Sequence, residues 1–356
     1  MKFRITAILC ILICMLFCGC SSWMDGEYLS VTPHREQVHP SGSAPVEVSS
    51  YMQMRDVLSD LVESGTDSCV MSLSSIDNAT AYQYADAAVN DVMKKNPFAS
   101  YAAEEISFEV GTNRGAAVIA FHVDYRFGRA EILQIRQTGS IDEAKTLISN
   151  ALDNCENSVV LRVKRFNDAD LEQFVEQYSN DHPDRVMEIP QVKFAVYPET
   201  GSDRIISLQF TYNTGRKELR EMQEQVAAVF ASAELYVTKT AQVKEIYSRL
   251  YSFLMERNDY TISTSVTPAY SLLYHGVGDS RAFANVYAAM CRKAGLDCRT
   301  ITGTKDGIAW CWNVVGYRGK YYHVDLLGCQ ENGKFLMTSA QDMTGYVWDY
   351  SIYPQE

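Results

Sequence analysis

One stretch constrains this 356-residue chain more than any other. Residues 276–328 read GVGDSRAFANVYAAMCRKAGLDCRTITG, then a short loop, then AWCWNVVGYRGKYYHVDLLG. Gly276 and Gly278 make a flexible turn, and Asp279 or Ser280 suits a helix N-cap. Over 281–294, Phe283, Val286, Tyr287 and Met290 fall at helical spacing, and Gly295 follows as a stop. Residues 298–302 and 310–316 read as strands and 321–326 as a third. Arg318-Gly319 is a tight hairpin turn between the last two. One helix followed by antiparallel strands specifies an α+β core.

That order resembles the transglutaminase-like superfamily, which has the papain-like cysteine-enzyme fold. The resemblance implies a nucleophilic Cys at the helix N-terminus, a His early on a later strand, and an Asp on the strand after it. In such a triad the helix dipole lowers the thiol pKa, the His takes the proton and the Asp orients the His. The frame matches here but two of the three residues do not. The family's Cys-x-Gly-(Tyr/Phe)-Ala stands as Ser280-Arg281-Ala282-Phe283-Ala284, and its His-Ala-Trp-Asn as Trp310-Cys311-Trp312-Asn313. Only the Asp is retained, as Asp325 in Tyr322-His323-Val324-Asp325. The tail through Phe335-Leu336, Trp348-Asp349 and Tyr353-Pro354 resembles the end of bacterial members. The likeness covers roughly 242–354.

A helix dipole supplies only ~0.3–1 kcal/mol, too little to activate a serine hydroxyl, and an indole is not a general base. The degenerate triad Ser280, Trp310 and Asp325 therefore points to a pseudoenzyme. Trp310 and Trp312 share a strand face with Val314, as core filling or as an aromatic groove for sugar or peptide. Cys311 points away from that face. His323 lies too far along its strand from Asp325 to serve as a substitute base. His275, just before the glycine turn, is the histidine able to swing towards Ser280. Trp312, Asn313 and His275 are thus the candidate binding residues.

The first residues speak to compartment. Lys2 and Arg4 precede an apolar run over 5–18, a length that suits a signal peptide better than a spanning helix. It ends in Leu16-Phe17-Cys18-Gly19-Cys20-Ser21-Ser22, which resembles a bacterial lipobox with Cys20 as the lipid anchor. Two acyl chains there would hold the protein on the extracytoplasmic side of the cell membrane. Residues 21–50, rich in Ser, Pro and His, read as a tether, and His34 and His39 as solvated parts of it. The net charge of −12 argues against a nucleic-acid partner. Of ten cysteines, six come after Cys20, as disulfides or as buried thiols. No Cys/His spacing suits a metal, and no cofactor is called for.

Between tether and core the chain reads as two copies of one α-β-α-β-β unit, over 51–138 and 139–233. In the first, a helical face at Tyr51, Met54, Leu58 and Leu61 precedes a strand at 70–73 and a helix at 79–95 capped by Asn78. A hairpin of 105–110 with 116–125 turns across 112–115. The second has helices at 141–152 and 168–178, a strand at 159–163, and a hairpin of 191–197 with 205–212. Tyr125-Arg126-Phe127-Gly128-Arg129 and Tyr212-Asn213-Thr214-Gly215-Arg216 mark the register, with Glu131 and Glu218 in step. The recurrent Gly-Arg-x-Glu suits a turn at a helix start, or a ligand contact. Residues 216–233 and 243–254 read as amphipathic helices, and a boundary near 234–240 leaves the transglutaminase-like domain at 240–356.

Two functions are open to such a chain. Either the domain is a non-catalytic binding or scaffolding module for a cell-wall, surface-protein or partner-enzyme ligand, or Ser280 performs slow acyl transfer or amide hydrolysis, aided by His275 or water.

Overall fold

The computed structural model describes residues 45–167, 170–237 and 242–352. The apolar leader, Cys20, most of the tether and the last four residues lie outside these.

The first unit comprises β1 (Val46–Glu47), α1 (Tyr51–Glu63), β2 (Ser68–Leu73), α2 (Asn78–Lys95), α3 (Pro97–Ala102), β3 (Ala103–Asn113), β4 (Ala116–Tyr125) and α4 (Arg129–Leu133). Its sheet has the order β1-β2-β4-β3, with β1 parallel to β2 and the other pairs antiparallel. Helices α1 and α2 cover one face, where Met54, Leu58, Ala81 and Ala85 meet Met71, Leu73, Ile119 and Phe121. The β3–β4 turn is Arg114-Gly115, both at positive φ (48° and 85°), the conformation that matches strand twist in a two-residue hairpin. The cap of α2 is Asp77 rather than Asn78. Asp77 Oδ1 accepts from the Ala79 and Thr80 N–H groups at 2.9 and 3.0 Å, while Asn78 Nδ2 donates to Thr112 Oγ1.

The second unit comprises β5 (Arg136–Thr138), α5 (Ile141–Asp153), β6 (Ser158–Val163), α6 (Leu171–Asp181), β7 (Gln191–Tyr197) and β8 (Arg204–Thr211). Its sheet order, β5-β6-β8-β7, has the same parallel and antiparallel senses as the first. Each unit thus carries a leading parallel strand that periodicity did not show, because two or three residues are too few to display a period. The outer face of the second sheet rests on the first unit. Ile205 enters the first unit's core. Arg162 bonds Asp203 through two nitrogens (3.0 and 2.8 Å) and Glu63 through the third (2.9 Å), above the Phe98 ring.

The C-terminal part comprises α7 (Arg216–Tyr236), α8 (Val243–Met255), β9 (Asp259–Tyr260), α9 (Pro268–His275), β10 (Val277–Gly278), α10 (Ser280–Lys293), β11 (Cys298–Lys305), β12 (Ile308–Tyr317), β13 (Lys320–Val324), α11 (Leu326–Glu331) and β14 (Tyr346–Val347). The sheet order is β13-β12-β11-β14, all antiparallel. Helix α10 lies between this sheet and α7 to α9, and residues 282–291 are all buried. Leu219, Val226 and Phe230 of α7 sit in the same core as Phe253, Phe283 and Val324. Helix α7, just before the expected division near 234–240, thus packs against both sides, since Cys155 and Met187 of the second unit share that core. The short β11–β12 and β12–β13 connections are Asp306-Gly307 and Arg318-Gly319, again paired positive-φ turns.

Candidate functional site

The site is built where the start of α10 meets strand β12. Asp279 is the N-cap: its Oδ1 accepts from the Ala282 N–H at 2.8 Å and its Oδ2 from Thr264 Oγ1 at 2.6 Å. Ser280 is therefore the first helical residue, and it is buried. Gly278 makes the close approach possible, since a Cβ there would stand 3.0 Å from Leu272 Cδ1 and 3.2 Å from Ala282 Cβ. The Cys311 backbone N–H donates to Ser280 Oγ at 3.2 Å. No histidine among the described residues bonds that hydroxyl.

Strand alternation sorts the rest of β12. Asn313 faces α10, donating through Nδ2 to the Ala284 carbonyl at 2.8 Å, with its Oδ1 buried and unpartnered. It clamps helix to sheet. Cys311 Sγ approaches Thr302 Oγ1 at 3.6 Å. On the other face Trp312 is 1% exposed and packs edge-on to Tyr346 and Trp348. Gly303 on β11 clears the space, for a Cβ there would lie 2.8 Å from Trp312 Cη2. Trp312 and Asn313, both expected as binding residues, are buried.

Trp312 Nε1 donates to His323 Nδ1 at 2.9 Å. Burial lowers the His323 pKa to about 4, so the ring is neutral at pH 7 and its Nδ1 lone pair is engaged by the indole. His275 caps a tyrosine cluster instead, with ring centroids 5.2 Å from Tyr270 and 5.3 Å from Tyr274. It lines a cavity with Phe253 and Arg257 that includes neither Ser280 nor Trp310.

Asp325 holds the other end of the site. Its Oδ2 accepts from Trp310 Nε1 (3.2 Å), Lys305 Nζ (3.2 Å) and the Tyr346 hydroxyl (2.5 Å). The indole N–H is thus one of three donors to a single carboxylate oxygen. Gly328 is needed beside it, because a Cβ there would stand 2.8 Å from the same oxygen. Lys305 also reaches Glu331 at 3.5 Å and lies over the rings of Trp310 and Tyr346. Burial pulls the Lys305 pKa down, but the charge and hydrogen bond of Asp325, then Glu331, outweigh it and raise the pKa. Burial, then the hydrogen bond to Asp325, raises that of Tyr346. Both groups stay protonated at pH 7, so neither can take a proton from Ser280. Trp310 is half-buried, and its ring centroid lies 5.5 Å from that of Tyr260, itself 44% exposed.

The structure brings Trp310 and Asp325 together and seats Ser280 against the Trp310–Cys311 strand. Lys305, Glu331, Tyr346 and Tyr260 were not singled out from sequence. The one available signal was the cross-strand arithmetic that sets Lys305 opposite both Ile308 and Tyr346. Among the described residues there is no group of three His, Cys, Asp or Glu side chains able to hold a metal.

The model of the transglutaminase-like superfamily matches residues 231–326. This part of the chain is a transglutaminase-like domain, and the match begins inside α7. No curated protein matches the chain. Similar solved structures include a TGase at 10% identity and TM-score 0.28, covering 48% of this chain and 51% of that one. A candidate cysteine protease from Cytophaga hutchinsonii is similar at 14% identity and TM-score 0.27, over 44% of this chain and 70% of its own. A candidate protease from Parabacteroides distasonis is similar at 8% identity and TM-score 0.24, over 72% and 40%.

Proposed function

We propose that this chain is a membrane-anchored extracytoplasmic lipoprotein whose transglutaminase-like domain binds a cell-wall or surface-protein ligand without catalysing a reaction on it. The observation that carries the reading is the Asp325 network. The carboxylate that would orient a catalytic base is bonded to an indole, an ammonium and a phenol, none of which accepts a proton at neutral pH. At the other end Ser280 Oγ accepts a backbone hydrogen bond instead of donating to a base. Trp310 and Tyr260 present an aromatic surface beside Ser280, suited to a ligand that stacks. The anchor rests on the leader and Cys20.

The test is ammonia or amine release from glutamine-containing and isopeptide substrates. Wild type and Ser280→Ala are expected to be equally inactive, and Ser280→Cys with Trp310→His to gain measurable turnover. Wild-type turnover that vanishes in Ser280→Ala would establish the slow serine chemistry instead. For the anchor, Cys20→Ala is expected to move the protein from the membrane pellet to the soluble fraction. Retention in the pellet would sink that half of the reading.

A further inference from the structure

A second site lies where the two N-terminal units meet, and it is independent of Ser280. The outer face of the second sheet changes character along its length. Register pairs Arg162 with Ile205, then Val160 with Ser207, then Ser158 with Gln209. The first pair is sealed against the first unit, with Ile205 in that unit's core. Beyond it the contact between the units opens into a cavity of about 450 Å3, with Ser158, Val160, Ser207 and Gln209 as its floor. That volume is in the ordinary range for a small-molecule site.

Three half-buried aromatic residues wall the cavity. Tyr101 stacks on Phe127 at a centroid distance of 4.8 Å and meets Tyr197 edge-on at 5.4 Å. Glu131 and Glu156 line it with Arg136, two carboxylates against one guanidinium. One Glu131 oxygen is already bonded to the Gly128 N–H, at 2.8 Å.

The chemistry selects the ligand. Serine hydroxyls and glutamine amides both donate and accept, which matches a ligand made of hydroxyls, since each of those also does both. Carboxylates add acceptors for hydroxyl protons. Aromatic rings favour the aliphatic C–H face of a pyranose, where an uncharged ring can desolvate without stranding a charge. The excess of carboxylate disfavours phosphorylated or acidic ligands, and the floor of Ser158, Val160, Ser207 and Gln209 itself carries no charge.

We propose that this inter-unit cavity binds a neutral saccharide. In a chain read as extracytoplasmic it would supply a carbohydrate contact separate from the transglutaminase-like domain.

The experiment screens the full-length protein on a glycan array, followed by calorimetry with chitotriose and maltotriose. Glucose 6-phosphate and spermidine serve as charged comparisons. Saturable binding of a neutral glycan is expected, with none of either charged probe. Ser207→Tyr fills the cavity and should abolish binding with the melting temperature kept. Tyr101→Ala and Gln209→Ala should each weaken it about tenfold, and they decide the matter if Ser207→Tyr fails to fold. Trp310→Ala, which alters the transglutaminase-like site, should leave saccharide binding as it was, so the two readings fail separately. The proposal is overturned by an array with no neutral binder, by binding of the charged probes alone, or by binding that persists in folded Ser207→Tyr or is lost in Trp310→Ala.

Discussion

The two N-terminal units leave their sheets through the same signal and then diverge. Gly128 and Gly215 each precede an arginine and act as helix N-caps with nearly equal backbone angles, φ −67° and ψ 152° against φ −65° and ψ 144°. Helix α4 then lasts five residues and turns into β5, while α7 runs for twenty-one. Local chemistry sets where a helix starts; the core it can reach sets where it ends. Ile132 and Ile135 of the first exit turn down into their own unit's core. Leu219, Val226, Phe230 and Ala233 extend the second exit as an apolar stripe into the C-terminal core. The recurrent Gly-Arg-x-Glu is explained in the first unit by a cap, in which Glu131 reaches back to the Gly128 N–H. In α7 no side chain caps the start.

That contrast can be broken most forcefully at Phe230. Phe230→Ala should cost about 3–5 kcal/mol, and the loss should appear in tryptophan fluorescence, because Trp310, Trp312 and Trp348 all lie in the C-terminal domain. Chemical unfolding followed by fluorescence and by far-UV dichroism checks this. A fluorescence midpoint that does not move would return α7 to the second unit.

Acid offers a second lever that weighs the C-terminal domain against the units. The folded His323 pKa is about 4 against 6.5 for the free side chain, so the unfolded chain holds more protons between those values. Stability from this residue is complete above pH 6.5 and lost as pH falls towards 4, by at most about 3 kcal/mol. His182, also lowered by burial, acts in the same direction in the second unit. His323→Gln should flatten the fluorescence-detected pH dependence between 6.5 and 4.5; an unchanged slope would remove His323 as its source.

Between the units, Arg162→Ala should cost about 2 kcal/mol. It leaves Glu63 and Asp203 facing each other without their cation, though both carboxylates keep some solvent. Urea unfolding of the N-terminal units measures it, and a neutral result would show that Ile205 and the α3 contacts alone join them. The smallest effect tests the shared signal itself. Glu131→Ala should cost about 1 kcal/mol and Glu218→Ala less than about half of that, by thermal melting. Equal costs would mean that the two exits are capped alike.

Much of the core was legible because its elements are long and periodic. The helix at 281–294, the three strands and the Arg318-Gly319 turn all stand within a few residues of where the pattern set them. Short pieces were not: α3, α4, α9 and α11 have eight residues or fewer and show too little of a period. The site divides in the same way. The positions of Trp310 and Asp325 were readable from the order of the elements. Their hydrogen bond, and the Lys305, Glu331 and Tyr346 side chains around it, come from distant parts of the chain and carry no local mark.

The kind of residue at each position of the α10–β12–β13 frame, Ser280, Trp310 and Asp325 among them, was determined by the sequence alone. So were turns and caps, which depend on neighbours a few residues away. The tertiary structure alone decided that Trp312 and Asn313 are buried, that His275 turns to Tyr270 and Tyr274, and that α7 packs with the C-terminal core. Those outcomes depend on which faces meet across residues far apart in the chain, and periodicity names the face without naming its partner.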